Sequence, residues 1–131
     1  GELGRKLLTT AEDVMRTEAL PIIPQDMHLG KAIIDVSKGK LGLGVSLDAD
    51  HRVVGLITDG DIRRAMERWQ AQFFDHTVAD IMTRQPKTVP PNTKITEVQK
   101  IMHLHKIHSV LVTDDKNHLL GIVDSYAAAL M

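Results

Sequence analysis

The chain contains an internal duplication: residues 21–65 align with residues 87–131 at a constant offset of 66, without a gap. The alignment superposes three pairs of residues: Pro24 on Pro90, Asp48 on Asp114 and Gly55 on Gly121. A repeated unit of this size cannot bury its hydrophobic face alone, so it packs against its neighbour. We therefore predict two copies of one small unit, packed through their sheets as a pseudo-two-fold pair.

Each copy has the same order of predicted elements. Apolar residues recur at helical spacing in both copies (Leu29, Ala32, Ile33, Val36; Ile95, Val98, Ile101, Met102). Two alternating apolar runs then flank a turn in each copy and predict hairpin strands over 43–47, 53–57, 109–113 and 119–123. Short extended runs at 22–23 and 88–89 precede the first helix, and a last helix begins near Asp59 or Ser125. The prediction is an α/β (α+β) fold made of tandem β-α-β-β-α repeats, each with a short entry helix.

The repeat boundaries follow from the same pattern. We predict a first repeat over 10–70, a connection over 71–76 and a second repeat over 77–131. The glycine-rich run 39–44 lacks the Gly-Lys-Ser/Thr ending of a phosphate-binding P-loop. Its glycines are instead expected at a helix C-cap and at the start of a strand.

Composition narrows the classes of function. Of the 131 residues 43% are apolar, the net charge is −1 and aromatic residues make up 3%. That balance argues against a nucleic-acid partner, which would need a basic surface or stacking aromatics. There are no cysteines, which excludes disulfides and thiolate metal sites and is compatible with a cytoplasmic location. No apolar stretch approaches the length of a membrane span, so no membrane partner is expected.

A polar cluster follows the last strand of the first repeat only. It consists of Thr58, Gly60 and Asp61, with Arg63 and Arg64 behind them. Thr-x-x-Asp is a helix capping box, and the same box opens the helices at Thr10 and Thr77. Glycine in a helix costs up to about 1 kcal/mol relative to alanine. Gly60 therefore favours close approach of a ligand to the backbone, and pure capping remains the alternative.

These motifs resemble a known family. A repeated β-α-β-β-α unit with "D-h-M" before it and "G-h-h-T-x-x-D" opening its last helix resembles the CBS domain pair, or Bateman module. "LGRKLL" (3–8), "DVMRT" (13–17) and "TDGDIRR" (58–64) are similar to the C-terminal regulatory part of bacterial arabinose 5-phosphate isomerases. In that family a sugar isomerase (SIS) domain precedes the CBS pair and its product enters Kdo synthesis for lipopolysaccharide or capsule. The resemblance implies that residues 1–9 are a linker from an SIS domain and that this chain carries no catalytic residue.

The resemblance also implies a site for a regulatory nucleotide between the repeats. Asp61 would accept the ribose hydroxyls, Thr58 and the amides near Gly60 would hold the first phosphate or ribose, and Arg63 or Arg64 would neutralise an anionic tail. The facing wall would come from the other repeat: Met82, Lys87, Thr88, Ile107, His108 and Ser109. The implied ligand is CMP-Kdo or an adenosine phosphate (AMP, ADP or ATP), with no required cofactor. Implied partners are the SIS domain and a second copy, in a homodimer or a higher oligomer.

The symmetric site is expected to be empty or altered. It would use Asp124 and Ala127 against Met15, Ile22 and Gly42. Ala127 stands where the first repeat has Asp61, and a methyl group cannot accept a hydrogen bond from a ribose.

Two other classes of function remain open. In the first, the chain is a ligand-free oligomerisation module and the polar cluster only caps a helix. In the second, a metal-dependent or hydrolytic enzyme uses His103, His105 and His108. The histidine spacing argues against the second because His103 and His105 face different sides of a helix and His108 lies beyond it. We predict no metal site.

Overall fold

The computed structural model describes residues 7–130, so residues 1–6 of the predicted linker lie outside the described residues. The elements in chain order are α1 (Ala11–Val14), α2 (Leu29–Gly39), β1 (Leu43–Leu47), β2 (Val53–Thr58), α3 (Asp59–Trp69), a 3-10 helix (Gln70–Asp75), α4 (Val78–Ile81), β3 (Thr83–Arg84), β4 (Thr88–Val89), α5 (Ile95–His105), β5 (Ser109–Thr113), β6 (Leu119–Asp124) and α6 (Ser125–Leu130). The predicted α+β class is confirmed. No helix within residues 7–130 is both long and apolar enough to cross a bilayer.

The chain divides into two compact units. The central unit comprises residues 21–86, and the terminal unit comprises the residues up to 20 together with those from 87 onward. Each unit contains one three-stranded sheet, in the order β1-β2-β3 or β4-β5-β6.

In the central unit, β1 pairs antiparallel with β2, and β2 pairs antiparallel with β3. The extended run predicted at 22–23 is reduced to a single parallel bridge between Ile22 and Val45. The core forms around Ile23, Leu29, Val36 and Phe73, all of them buried. Phe73 belongs to the 3-10 helix, so that helix is part of this core.

In the terminal unit, β4 runs parallel to β5, and β5 pairs antiparallel with β6. Arg16, just after α1, adds an antiparallel bridge to Ile122 through backbone bonds of 2.8 and 3.0 Å. The helices α1, α5 and α6 contribute buried Ala11, Val98 and Ala128 to its core.

Each unit includes the entry segment that precedes the other repeat in the sequence. Residues 77–84, at the start of the second repeat, fold into the central unit, whereas α1, at the start of the first repeat, folds into the terminal unit. A Cβ added to Gly55 would collide with Met82, and one added to Gly121 would lie 2.7 Å from Sδ of Met15. The glycine that recurs in both hairpins therefore leaves room for a methionine from the exchanged entry segment.

The duplication is preserved in the backbone where the side chains differ. Six of the seven non-glycine residues with positive φ among the described residues form pairs 66 positions apart, and Gln70 is the exception: Ala19 and Gln85, Lys40 and Lys106, His51 and Asn117. The hairpin turns also match, since the carboxylates of Asp48 and Asp114 each accept two backbone N–H bonds of 2.8–2.9 Å. The two halves therefore share one chain path.

The prediction of a glycine at the C-cap of α2 is wrong. Gly39 is the last residue of the helix, and the left-handed residue after it is Lys40, with φ 61°. Lys106 ends α5 in the same conformation, with φ 53°. A left-handed lysine carries a conformational cost that glycine would not, so sequence preference alone pointed to the wrong residue.

We expect Gly121→Ala to destabilise the chain by about 1–3 kcal/mol, since the new Cβ would overpack against Met15 and the backbone carbonyl oxygen of Arg16, 2.8 Å away. Gly30→Ala is the matched control. Its Cβ would meet only the ring of exposed Phe74, and alanine favours the helix by up to about 1 kcal/mol. Urea unfolding of both variants checks this, and equal effects of the two substitutions would contradict the packing argument.

Candidate ligand site

The candidate site begins where β2 ends and α3 starts. Thr58 has extended backbone angles (φ −117°, ψ 166°) and caps the helix. Its Oγ1 accepts from the Asp61 N–H at 3.1 Å, and its own N–H donates to Asp61 Oδ2 at 2.9 Å. The predicted capping box is thus formed, as are those of Thr10 with Asp13 and of Thr77 with Asp80.

The other oxygen of Asp61 is bound to Arg64. The Nη2 atom of Arg64 donates to Asp61 Oδ1 at 2.8 Å. The Asp61 side chain is 18% exposed and the Arg64 side chain 65% exposed. The guanidinium also lies over Gly60, where an added Cβ would be 3.1 Å from Nη1 of Arg64. In this structure the Arg64 guanidinium therefore covers the backbone at Gly60, where the sequence predicts the close approach of a ligand.

The backbone on the other side of this junction is held by Gly42. The Asp59 N–H donates to the Gly42 carbonyl at 3.0 Å. Gly42 has φ 69°, and a Cβ there would lie 2.9 Å from Oδ2 of Asp59. Both the backbone angle and the contact with Asp59 favour glycine at this position.

A cavity of about 190 Å³ adjoins Asp61 within the central unit. It is lined by Asp61, Arg64, Ala65, Arg68, Asp80 and Ile81. The predicted site included Asp61 and Arg64 and omitted the other four. Helical spacing could have found Arg68, which lies one turn after Arg64 on the same face of α3. Asp80 and Ile81 come from α4, and no local pattern connects them to α3.

Asp80 brings a second carboxylate to this cavity. Its Oδ2 accepts from the Thr77 N–H at 2.9 Å and lies 3.1 Å from Nδ1 of His76. The Thr77 N–H, followed by His76, holds the pKa of Asp80 below its ordinary value near 3.8. The His76 ring stacks on Trp69 with centroids 3.5 Å apart. Asp80 therefore keeps its negative charge to lower pH than an ordinary aspartate does.

The second repeat builds the equivalent junction differently. Asp124 occupies the position of Thr58, and its Oδ1 accepts from the Ala127 N–H at 2.7 Å. Because Ala127 has no carboxylate, its side chain cannot return a bond to the backbone N–H of Asp124 as Asp61 does for Thr58. The helix is capped by an aspartate alone, without the carboxylate that the first repeat places one turn inside α3.

The remaining predicted site residues fall in two groups. Met82 is buried in the core of the central unit against Gly55, and Arg63 is exposed on α3. The other five belong to the terminal unit: exposed Lys87, Thr88 in β4, half-buried Ile107, exposed His108 and Ser109 in β5. These assignments stay predictions.

A larger cavity of about 470 Å³ lies within the terminal unit, between α5 and α6. It is lined by Gln99, Met102, His103, Lys106, Ile107, His108, Ser125, Ala128 and Ala129. The His108 carbonyl accepts from the Ser125 N–H at 2.8 Å, the equivalent of the bond between Gly42 and Asp59. Of the predicted site, only Ile107 and His108 line this cavity.

The histidines do not assemble. His103 and His105 lie on the last turn of α5, and His108 lies beyond that helix, as the spacing predicts. Within residues 7–130 no group of three or more histidine, cysteine or acidic side chains is placed to hold a metal ion.

The fold and the duplicated junction define a class of protein: the chain belongs to the CBS domain family, whose pattern matches residues 11–68 and 78–126. It is 37% identical over 123 residues to the arabinose 5-phosphate isomerase KpsF of Escherichia coli O6:H1. That alignment covers 94% of this chain and 37% of the relative, so the chain spans little more than a third of the length of that relative.

Solved structures share the fold. The CBS domain pair of protein MJ0100, in complex with 5′-methylthioadenosine and S-adenosyl-L-methionine, superposes with a TM-score of 0.82 at 24% identity, covering 94% of each chain. CBSX2 in complex with AMP gives a TM-score of 0.81 at 19% identity, covering 92% of this chain and 93% of that one. Identities this low establish the fold alone.

We expect the stabilisation contributed by Asp80 to depend on pH. Because its pKa is lower in the folded chain, the contribution is present above about pH 4 and is lost as the pH falls through the folded value. Asp80→Asn should lower the urea midpoint at about pH 7, and its difference from wild type should shrink in acid, below about pH 4. Asp75→Asn removes an exposed charge nearby and is the control. A difference that is the same at both pH values would contradict this.

Proposed function

We propose that the chain is the nucleotide-sensing regulatory part of an arabinose 5-phosphate isomerase of Kdo synthesis, for lipopolysaccharide or capsule. The ligand is CMP-Kdo or an adenosine phosphate. The names of the relatives support the isomerase, and the AMP named for the CBSX2 structure supports a nucleotide. The chain itself senses the ligand, and the reaction belongs to the SIS domain of the longer protein.

The observation that carries the proposal is the position of the Asp61 carboxylate. It is largely buried at the start of an 11-residue helix, and both oxygens are within bonding distance of donors. A carboxylate oxygen has two lone pairs, so Asp61 has acceptor capacity for both ribose hydroxyls once the Arg64 guanidinium no longer covers Oδ1. Hydrogen bonds to charged acceptors are among the strongest in proteins, which suits a diol that must be recognised in water.

The surroundings of Asp61 suit the anionic part of a nucleotide. The N-terminus of α3 carries a partial positive charge, and Arg64 and Arg68 follow on the face that lines the cavity. Arginine is well suited to bind phosphate and carboxylate because its planar guanidinium can donate two parallel bonds. CMP-Kdo presents both groups, and AMP presents one.

We propose one nucleotide per chain. The second repeat has Ala127 in place of Asp61 and lacks arginine in α6. A ribose placed there would meet a methyl group where the first repeat offers a carboxylate. The equivalent junction therefore keeps the fold and does not recognise the ligand in the same way.

Regulation follows from linkage. A nucleotide that binds one arrangement of the protein more tightly than another shifts the equilibrium by that difference in affinity, and the attached isomerase domain responds to the shift. The proposal includes a homodimer or higher oligomer of the longer protein, acting in the cytoplasm.

We expect Asp61→Ala to weaken nucleotide binding at least tenfold, because charge-assisted hydrogen bonds contribute roughly 1.5–3 kcal/mol each. The measurement is calorimetric titration of the chain with AMP, ATP, CMP and CMP-Kdo. Asp13→Ala is the matched control, since Asp13 closes the same capping box on α1 and belongs to the other unit. It should lose a similar cap and keep wild-type affinity.

The alternative function, a ligand-free oligomerisation module, makes a different prediction. In that case none of the four nucleotides binds or raises the melting temperature, and Asp61→Ala resembles Asp13→Ala in every measurement. Binding that survives Asp61→Ala unchanged would show that the site is elsewhere.

A further inference from the structure

The Asp61 carboxylate, the proposed ribose acceptor, is already bound to Arg64 in this structure. Arg64 donates to Asp61 Oδ1 at 2.8 Å and lies over Gly60, so one side chain covers both the carboxylate and the backbone of the first helical turn. A ribose hydroxyl that approaches Oδ1 meets this guanidinium first. Ligand entry and the Arg64–Asp61 ion pair therefore compete for the same space.

The ion pair is easy to displace. The Arg64 side chain is 65% exposed, and solvent-exposed ion pairs three residues apart on a helix contribute little to stability. The guanidinium is the far end of a flexible side chain, so it can rotate away without disturbing α3. Asp61 would still close the capping box through Oδ2.

An anionic group of the ligand, bound in the cavity beside Asp61, would give the displaced guanidinium a new partner. At about 190 Å³ it is smaller than the 300–1,000 Å³ pockets that hold whole drug-sized ligands, so it can hold only one group of a nucleotide. Arg64 and Arg68 line it together. No carboxylate of the described residues forms an ion pair with Arg68, whose guanidinium carbon lies 5.7 Å from the centroid of the Trp69 ring.

Asp80 limits how much negative charge this cavity accepts. Asp80 lines the same cavity from α4, and its Oδ2 accepts from the Thr77 N–H and lies 3.1 Å from Nδ1 of His76. One anionic group can be neutralised by the two arginines. Each additional phosphate would bring more negative charge close to Asp80, which is unfavourable.

We propose that Arg64 blocks Asp61 in the free protein and releases it only when the ligand supplies an anionic group, which Arg64 and Arg68 then hold in the cavity. The inference rests on the proposed function and sharpens its ligand class. The site selects a riboside with a single anionic group next to the sugar, and it discriminates against both plain nucleosides and triphosphates. Arg68 becomes a specificity residue that the sequence motif does not include.

The test is a calorimetric comparison of adenosine, AMP and ATP, and of cytidine and CMP, on the whole chain. In wild type the monophosphate should bind at least tenfold more tightly than its nucleoside and more tightly than the triphosphate. In Arg64→Ala the nucleoside should bind more tightly than in wild type, because nothing covers Asp61 Oδ1, and the monophosphate should bind more weakly, so that their affinities converge; an unchanged nucleoside affinity would contradict the blocking role. Arg68→Ala should weaken the monophosphate and leave the nucleoside unchanged.

Two controls separate this from a general loss of charge or of folding. Lys38→Ala removes one exposed positive charge on α2 and should leave every affinity unchanged. Arg64→Lys keeps the charge without the planar fork and should give an intermediate preference for the monophosphate. Thermal melting of each variant verifies that it is folded.

The outcomes are distinguishable. If Arg64→Ala weakens nucleoside and monophosphate by the same factor, the blocking role of Arg64 is wrong while the proposed nucleotide site stands. If wild type binds the nucleoside as tightly as the monophosphate, the anion requirement is wrong. If no nucleotide binds wild type at all, the proposed function fails and this inference fails with it.

Discussion

The hydrogen bonds of the Asp61 carboxylate determine both where α3 begins and which carboxylate oxygen Arg64 covers. One oxygen accepts from the Thr58 backbone and so fixes the change from extended strand to helix. The other oxygen is bound to Arg64, which lies over Gly60. In the proposed function the same group starts the helix and, after one side chain moves, binds the ligand. In that proposal stability and recognition are therefore coupled at this carboxylate.

The two repeats cap their last helix in different ways, and for this reason only the first repeat carries this arrangement. Both repeats need a cap where the last strand meets the last helix, and both have one. The second repeat makes its cap from Asp124 at the N-cap position. The residue at position 127 therefore does not need a side chain that accepts a hydrogen bond, and it is alanine. A requirement of the fold is satisfied in two ways, and only the way used by the first repeat leaves a carboxylate in the helix.

Much of the fold could be predicted from the sequence because its signals are local. Alternating apolar residues identified the hairpin strands, and Thr-x-x-Asp identified three helix starts. The exchange of entry segments could not be predicted, since the contact between Met82 and Gly55 joins two different repeats and leaves no local period. The left-handed Lys40 was missed because backbone strain at a lysine has no sequence signature. Asp80 was assigned only a capping role, and its place beside Arg64 and Arg68 required tertiary structure.

A crystal structure of the chain grown with CMP or AMP would test the central claim most directly, by the distances from the ribose hydroxyl oxygens to the Asp61 carboxylate. We predict both hydroxyls within hydrogen-bond distance of Asp61, with the Arg64 guanidinium moved off Oδ1 and bound to the phosphate. A nucleotide bound elsewhere, with the 2.8 Å contact between Arg64 and Asp61 intact, would contradict it.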